Sequence, residues 1–260
     1  MNVYPQLISG AVSQFPIVKH RRARTVVNAA ADGSSIKLAD PGGATVGWRL
    51  QYANLSDPEL AALQQFFTAM EGSLNSFTFL DPAANLLAWS EDLTNAVWQG
   101  APFLTLSGGV ADTLGGSNAW QLANSGAGAQ TLTQTLNVPT SHTYCFSIYA
   151  FSPQPATIRL HIGSNSAQAA LNSRWSRIQI AGSGDATASS VEFGIELPAS
   201  TTVTVFGPQV EAQPAPSAYK TGTRGGVYDN ARFCDDAFQL TSTDVNRHSA
   251  TVNIVYANSL

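Results

Sequence analysis

Apolar and polar residues alternate along much of this chain with the period of two that is typical of β-strands. The segment 46–52 is the clearest case, since Val, Trp, Leu and Tyr alternate there with Gly, Arg and Gln. Segments 25–28 and 35–39 carry shorter runs of the same kind. The Asp-Pro-Gly-Gly sequence at 40–43 predicts a tight turn before the long strand.

One helix interrupts this pattern between residues 56 and 72. Ser56 and Glu59 have the spacing of a capping box, and alternatively Asp57 caps a helix whose first residue is Pro58. Gly72 supplies the left-handed residue that ends a helix. A half-buried strand, 77–79, then stops at Asp-Pro. The apolar stripe of the helix consists of Leu60, Leu63, Phe67 and Met70.

The end of the chain carries a predicted hairpin formed by segments 232–240 and 249–257. The N-terminal strands are too few to close a sandwich or a barrel by themselves, so we expect the hairpin to pair with them. The sequence thereby predicts a discontinuous domain, residues 1–84 and 216–260.

The intervening residues, 85–215, have few charges and many short alternating runs separated by Gly, Ser and Pro. This texture predicts an inserted jelly-roll β-sandwich of about eight strands. The fold class is all-β with one short helix: a discontinuous β-sandwich or barrel plus the inserted sandwich. The strands are expected at 103–106, 119–122, 130–136, 143–151, 157–162, 175–180, 190–197 and 202–210.

Charged residues make up only 12% of the chain, and the formal net charge is −4. The low charge suits an all-β protein with a polar surface, or a protein whose surface is covered by partners. Specific binding of nucleic acid is not expected, because phosphates need a concentrated positive field. The basic run holding Arg21, Arg22 and Arg24 is a solvated loop or strand edge, or alternatively a subunit contact or a channel-lining patch.

The sequence predicts neither a disulfide nor a membrane segment. Cys145 and Cys234 fall in different predicted domains. No charged and apolar leader begins the chain, and no run of eighteen apolar residues could cross a bilayer. Folding in a cytoplasm is the resulting expectation.

Catalytic, metal and cofactor motifs are missing from the sequence. The four histidines are dispersed, and neither GxSxG nor CxxC occurs. The adjacent acids Asp235 and Asp236 would point to opposite faces of a strand. We therefore expect no enzyme activity, no metal and no cofactor.

The aromatic residues of the middle domain are the candidate binding groups. Trp89, Trp120 and Tyr149 could stack on sugar rings, although tryptophan and tyrosine are also normal core residues of a sandwich. Trp98 and Trp175 fit a structural role better, because each lies in or next to an apolar strand pattern.

Two sequence resemblances give these predictions a biological direction. Residues 1–82 resemble the N-terminal part of distal and minor tail proteins of long-tailed phages and gene transfer agents. This resemblance rests above all on Phe-Thr-Phe-Leu-Asp-Pro at 77–82. It also rests on the Tyr4-Pro5 segment, the basic run and the strand ending Trp48-Arg49-Leu50. The second resemblance covers the phrase NLLAWSEDLTNAVW at 85–98 with FGPQVE at 206–211, which is similar to the opening and closing phrases of carbohydrate-binding-like jelly-roll modules in phage tail proteins.

The resemblances imply a virion structural protein at the tail tip, assembled in the host cytoplasm. Such proteins form a ring, typically a hexamer, that joins the tail tube protein to the tail hub, baseplate and fibre proteins. Arg22 could then face a neighbouring copy's Asp235 and Asp236, and the inserted module could contact a host cell-surface glycan. Two other functions stay open: a receptor-binding adhesin, and a polysaccharide-cleaving enzyme that would need converging carboxylates. No membrane insertion is expected.

Overall fold

The computed structural model describes residues 2–257, and these residues divide into two units. The first unit contains residues 2–8, 13–79 and 228–257, and the inserted unit contains 9–12 and 80–227. The strands are β1 Ile17–Ala29, β2 Ser35–Leu55, β3 Phe77–Leu80, β4 Gln99–Gly100, β5 Leu104–Val110, β6 Ala119–Asn124, β7 Gln130–Leu136, β8 Tyr144–Phe151, β9 Ala156–Ile162, β10 Asn165–Leu171, β11 Ser176–Gly182, β12 Val191–Leu197, β13 Thr202–Glu211, β14 Val227–Phe233, β15 Gln239–Asp244 and β16 Arg247–Ala257; helix α1 is Asp57–Ala69.

The two ends of the chain share one six-stranded sheet in the first unit. Its strand order is β1-β2-β16-β14-β3, and β15 pairs with β16. Trp48 on β2 is the centre of its core and packs edge-on against Phe79 and Tyr228, with ring centroids 4.9 and 4.7 Å apart. Since these three rings come from early, middle and late parts of the sequence, the core exists only when both ends of the chain fold together.

Helix α1 begins at Asp57, with Ser56 as its N-cap. The Glu59 side chain accepts hydrogen bonds from the Ser56 N–H (3.0 Å) and hydroxyl (2.7 Å), so the capping-box alternative is the one adopted. Leu60 and Leu63 are buried as the apolar stripe predicts. Gly72 has φ +63°, the left-handed conformation expected of a helix stop.

The predicted turn at 40–43 is wrong, because β2 runs without interruption from residue 35 to residue 55. Arg22 pairs with Thr45 while Arg24 pairs with Asp40, so residues 41–44 oppose Ala23 alone and form a bulge. A bulge tolerates proline because the residue there need not donate to the ladder. The chain reverses instead at 30–34, where Gly33 has φ +85°.

The inserted unit is a sandwich of two five-stranded sheets. The first sandwich sheet has the order β10-β9-β12-β7-β4 and the second has β11-β8-β13-β6-β5. Phe193 of the first sheet meets Tyr144 and Phe146 of the second edge-on, with ring centroids 5.6 and 6.0 Å apart. All three rings are buried, which places the core between the sheets.

Two strands of this unit were not predicted. β10 has the sequence NSAQAAL and β4 has only two residues. Both lie at the edge of the first sandwich sheet. Ala, Ser, Asn and Gln have little β-propensity, so β10 gives no strand signal in the sequence and forms because β9 offers it a hydrogen-bonding edge.

An all-β protein with one helix and an inserted β-sandwich is confirmed, and the sheets are antiparallel. The units part at 79/80 and 227/228, whereas the sequence predicts domain borders at 84/85 and 215/216. Residues 80–84 and 216–227 belong with the inserted unit. The Asp81 N–H donates to the Gly226 carbonyl and joins the two segments, and the Gly222 N–H donates to Ser90 Oγ (2.8 Å) within the unit. Cys145 and Cys234 are both free thiols.

No helix within residues 2–257 combines the length and the apolar character that a membrane span needs.

Candidate functional site

The first unit carries an exposed two-stranded arm, which comprises residues 24–29 of β1, residues 35–40 of β2 and the turn between them. β16 accompanies β2 only as far as the Thr45–Ala257 pair, so among the described residues the arm strands pair only with each other. Val27, Ile36 and Leu38 on the arm are 56%, 59% and 51% exposed. An isolated two-stranded hairpin is marginally stable in water, and exposed apolar side chains on it favour a partner.

The sheet of the first unit has two open edges. β1 ends the strand order on one side. On the other side β15 lies beside β16, and β3, the last strand of the order, is bridged to Val3. Within residues 2–257 neither β1 nor β15 pairs with a further strand along its outer edge. Such edges display unpaired N–H and C=O groups that another chain can bind. Residues 25–29 of β1 carry no charge that would oppose pairing.

Two of the arginines on β1, Arg24 and Arg22, interact with groups of the same chain. Arg24 Nε lies 3.0 Å from Asp40 Oδ2, and both strands of this ion pair belong to the arm. Burial raises the pKa of the Cys234 thiol, the Asp235 carboxylate raises it further, and the Arg22 guanidinium lowers it. Arg22 and Asp235 therefore approach the same thiol inside one chain.

The acidic pair has a divided role. Asp236 accepts hydrogen bonds from the Ser73 N–H (2.8 Å) and hydroxyl (2.6 Å), and these bonds lower the pKa of its carboxyl group. This carboxylate stabilises the loop that follows α1. Asp235 and Arg21 are exposed, and whether either contacts a neighbouring copy stays a prediction.

The phrases that border the inserted unit bind each other. Asn85, which is buried, donates from Nδ2 to the Pro208 carbonyl (2.9 Å) and accepts from the N–H groups of Leu87 and Val210 (both 3.0 Å). The opening phrase is thereby fixed to the closing phrase FGPQVE. The sequence identified both phrases, but their contact needed the tertiary structure.

A second set of contacts adds the residues that follow the sandwich. The Tyr219 hydroxyl lies 3.1 Å from Ser90 Oγ and donates to Glu91 (3.2 Å). Its ring lies on Gly207, where a Cβ atom would stand 2.8 Å from Cε2. Glycine is therefore required at this position, which also has φ +61°. We call these residues, together with Asn85, the clasp. Its contacts give the opening and closing phrases of the inserted unit a structural role.

The candidate glycan residues occupy three different environments. Trp89 is 39% exposed, on a loop where its own φ is +50°. Trp120 is half-buried and donates from Nε1 to the Glu91 carbonyl (3.0 Å), so it supports that loop. The Trp98 indole, buried as predicted, donates to the Trp89 carbonyl (3.1 Å). Trp89 thus presents a ring to solvent from a loop held by two other tryptophans.

Tyr149 lies on the outer face of the second sandwich sheet. The Arg177 guanidinium stands 5.3 Å from its ring centroid, and Phe206 packs at 6.2 Å on the other side. Arg177 also donates to the Ser217 carbonyl and to Ser147 Oγ. Tyr149 is half-buried in this network, which holds the returning chain against the sheet.

Ser242, His248 and Asp57 form a chain of hydrogen bonds in the first unit. Ser242 Oγ lies 2.9 Å from His248 Nδ1, and His248 Nε2 lies 2.6 Å from Asp57 Oδ1. The Asp57 N–H also donates to Asn246 Oδ1 (2.7 Å). These contacts fasten the β15–β16 hairpin to the start of α1. Across residues 2–257, no group of three or more His, Cys, Asp or Glu side chains is placed to hold a metal ion.

Comparison with known proteins gives structural similarity only. No family model matches the chain, and no curated protein matches its sequence. Among solved structures, the enzymatically active domain of tailspike protein 4 from bacteriophage CBA120 is similar over 51% of this chain and 22% of its own, with 13% identity and a TM-score of 0.38.

Carbohydrate-binding modules are also among the similar structures. The CBM22-1 xylan-binding domain of Paenibacillus barcinonensis Xyn10C matches over 53% of this chain and 99% of its own, with 14% identity and a TM-score of 0.43. A family 22 module of Clostridium thermocellum Xyn10B matches over 53% and 99%, with 12% identity and a TM-score of 0.41. A phage tailspike domain and several carbohydrate-binding modules are therefore among the structural neighbours of this chain.

Proposed function

We propose that the protein is a virion structural protein of a phage tail, a distal ring adaptor that joins the tail tube to the hub or baseplate and to adhesion devices. The observation that carries the proposal is the arm of the first unit, with three exposed apolar side chains and no covering element among the described residues. A second copy of the chain would cover this surface. A distal ring adaptor would lie at the tail tip.

Open edges on both sides of one sheet support a head-to-tail assembly. β1 of one copy would lie beside β15 of the next, which makes the contact heterologous, and repetition of such a contact closes a ring if the rotation permits. Backbone hydrogen bonds would supply the contact, and the apolar arm residues would add buried area.

The distribution of charge supports the same arrangement. Residues 17–46 contain five Lys and Arg against two Asp, a formal charge of +3, whereas the remainder of the first unit has three basic residues against seven acidic ones, a formal charge of −4. Complementary charge on the two contacting surfaces speeds and orients association. The positive excess comes from Lys19, Arg21 and Arg22 on β1, because the four charges of the arm itself cancel.

A second role, glycan binding by the inserted unit, is favoured by the exposed ring of Trp89. A tryptophan that is 39% exposed on a firmly held loop offers a flat apolar surface to a sugar. The unit would then be an adhesion module carried by the ring. Trp89→Ala is the variant that separates this role from assembly.

We propose no catalytic role. The hydrogen bonds of Ser242, His248 and Asp57 connect two secondary-structure elements, and Ser242 bonds to Nδ1 while the carboxylate bonds to Nε2. These hydrogen bonds fasten the β15–β16 hairpin to the start of α1, and this structural role accounts for the arrangement of the three side chains.

The ring is tested by the mass of the purified chain in solution. We expect native mass spectrometry and sedimentation to give a closed oligomer, six times the 27.4 kDa chain if the resemblance holds. The double variant Ile36→Lys, Leu38→Lys should be monomeric with an unchanged unfolding temperature, because both side chains are more than half exposed.

Leu114→Lys is the matched control, since Leu114 is 65% exposed but lies in the inserted unit. It should leave the oligomer intact. A wild-type chain that stays monomeric at every concentration, or a double variant that still assembles, would contradict the proposal.

A further inference from the structure

A groove of about 410 Å³ crosses the outer face of the sheet in the first unit. Its floor is formed where β2, β16 and β15 lie side by side, because Gln51 pairs with Thr251 and Thr251 pairs with Gln239. The side chains of neighbouring strands at paired positions share a face. The buried Tyr52 and Ala250 alternate with them and face the core. The volume lies within the range of small-molecule sites.

The wall of the groove is an aromatic ring presented to solvent. Gln14 donates from Nε2 to the Ala53 carbonyl (3.0 Å) and accepts from the Ala53 N–H (2.7 Å), so it continues the pairing of β1 with β2 by a side chain. This bidentate contact holds the next two residues, Phe15 and Pro16, beside β2. Phe15 is nevertheless 70% exposed, so the protein positions an apolar ring without burying it.

The chemistry of the lining selects the class of ligand. Amides and hydroxyls form the floor and far wall, from Gln51, Gln239, Thr241 and Thr251, and Phe15 forms the near wall; no Lys, Arg, Asp, Glu or His is among the lining residues described. A charged ligand would find no counter-charge there. A wholly apolar ligand would desolvate the amides without compensating hydrogen bonds.

We propose that this groove binds a neutral saccharide chain. A pyranose ring has one apolar face of C–H groups, which would stack on Phe15, and a rim of hydroxyls, which would exchange hydrogen bonds with the glutamine and threonine side chains. The site lies wholly within the first unit. It is therefore distinct from the glycan contact proposed for Trp89, and it does not depend on ring formation.

The test is calorimetric titration of the full-length protein with four neutral hexasaccharides: cellohexaose, xylohexaose, maltohexaose and chitohexaose. We expect at least one to bind. Phe15→Ala and Thr251→Val should each weaken that binding about tenfold or more, which corresponds to the loss of one stacking contact or one hydrogen-bonded hydroxyl. Hexagalacturonate should not bind, because its carboxylates find no cation in the lining.

Variants of the inserted unit are the controls. Phe103→Ala and Leu114→Ala, at residues that are 58% and 65% exposed, should leave the affinity unchanged. Unchanged unfolding temperatures of Phe15→Ala and Thr251→Val would show that the fold is intact, as the exposure of Phe15 leads us to expect.

Three results would overturn the proposal. The first is that none of the neutral hexasaccharides binds. The second is that binding survives in Phe15→Ala and Thr251→Val and is lost in Trp89→Ala, which would place the binding site in the inserted unit. The third is that Phe15→Ala changes only the oligomer mass, which would identify the groove as a contact between copies. Measuring that mass in the same samples keeps failure of the groove separate from failure of the ring.

Discussion

At the residue scale, Asn85 shows how one buried side chain fixes the border of the inserted unit. It satisfies the Pro208 carbonyl and the N–H groups of Leu87 and Val210 at once. Such groups are costly to leave unpaired, because water cannot reach them to replace the lost bond. The presence of Asn85 in the opening phrase is therefore explained by its role in folding. The exposed side chains of Trp89 and Phe15 have no comparable structural role.

We expect Asn85→Ala to destabilise the inserted unit by about 2–5 kcal/mol, since it leaves three buried polar groups without a partner. The control Asn165→Ala removes one exposed hydrogen bond, to the Ser183 carbonyl, and should cost about 1 kcal/mol or less. Urea unfolding followed by tryptophan fluorescence measures the difference, because four of the five tryptophans lie in this unit. Equal losses for the two variants would contradict the clasp.

At the scale of elements, tertiary contacts determined the secondary structure of the segments whose sequence propensity was ambiguous. The helix was predicted with its stripe and stop, because a 3.6-residue period, a capping pair and a glycine all agree. The Asp-Pro-Gly-Gly segment was misassigned, since its composition fits a turn and a bulge equally well and only the pairing with β1 distinguishes them. β10 was missed because its strand character comes from β9.

Helix α1 should show a pH dependence that arises from its capping carboxylate. Burial raises the pKa of Glu59, but hydrogen bonds from Ser56 and from the Ile8 N–H outweigh it, so the pKa lies below the usual 4.5. A lowered folded-state pKa means that this stabilisation is complete above the unfolded-state value and is lost as the pH falls through the folded-state value.

We therefore expect Glu59→Gln to be less stable than the wild type at pH 7, by about 1 kcal/mol or less, and the difference to be smaller at pH 3, below the usual pKa of a glutamate. Denaturant unfolding at both pH values, followed by far-UV circular dichroism, gives the comparison. Other carboxylates also titrate in this range, and taking the difference between the two proteins cancels their contribution. A constant difference at both pH values would contradict the assignment.

At the scale of the whole molecule, the first unit contains the arm, both open edges and the groove, and the inserted unit contains the sandwich and the clasp. The insertion leaves from β3 and returns to β14, which are neighbours in one sheet. A short linker could therefore replace it at little cost, because loop-closure entropy depends only weakly on loop length.

We expect a chain in which a short Gly/Ser linker replaces residues 80–227 to fold and to form an oligomer with the same copy number as the full chain. Circular dichroism would report the retained β structure, and native mass spectrometry would give the copy number. An unfolded product, or a folded monomer where the full-length chain assembles, would place a necessary part of the assembly surface in the inserted unit.

The sequence by itself determined the strand-rich character, the single helix and the presence of an insertion, because these depend on local periodicity and on composition that changes along the chain. Only the tertiary structure decided the bulge in β2, the arm, the groove and the separate environments of Trp89, Trp120 and Tyr149. The physical reason is that exposure and pairing depend on which distant segments approach one another. Phe15 faces solvent beside β2 because Gln14 bonds to Ala53, 39 residues away, and Asn85 is buried because it bonds to Val210, 125 residues away.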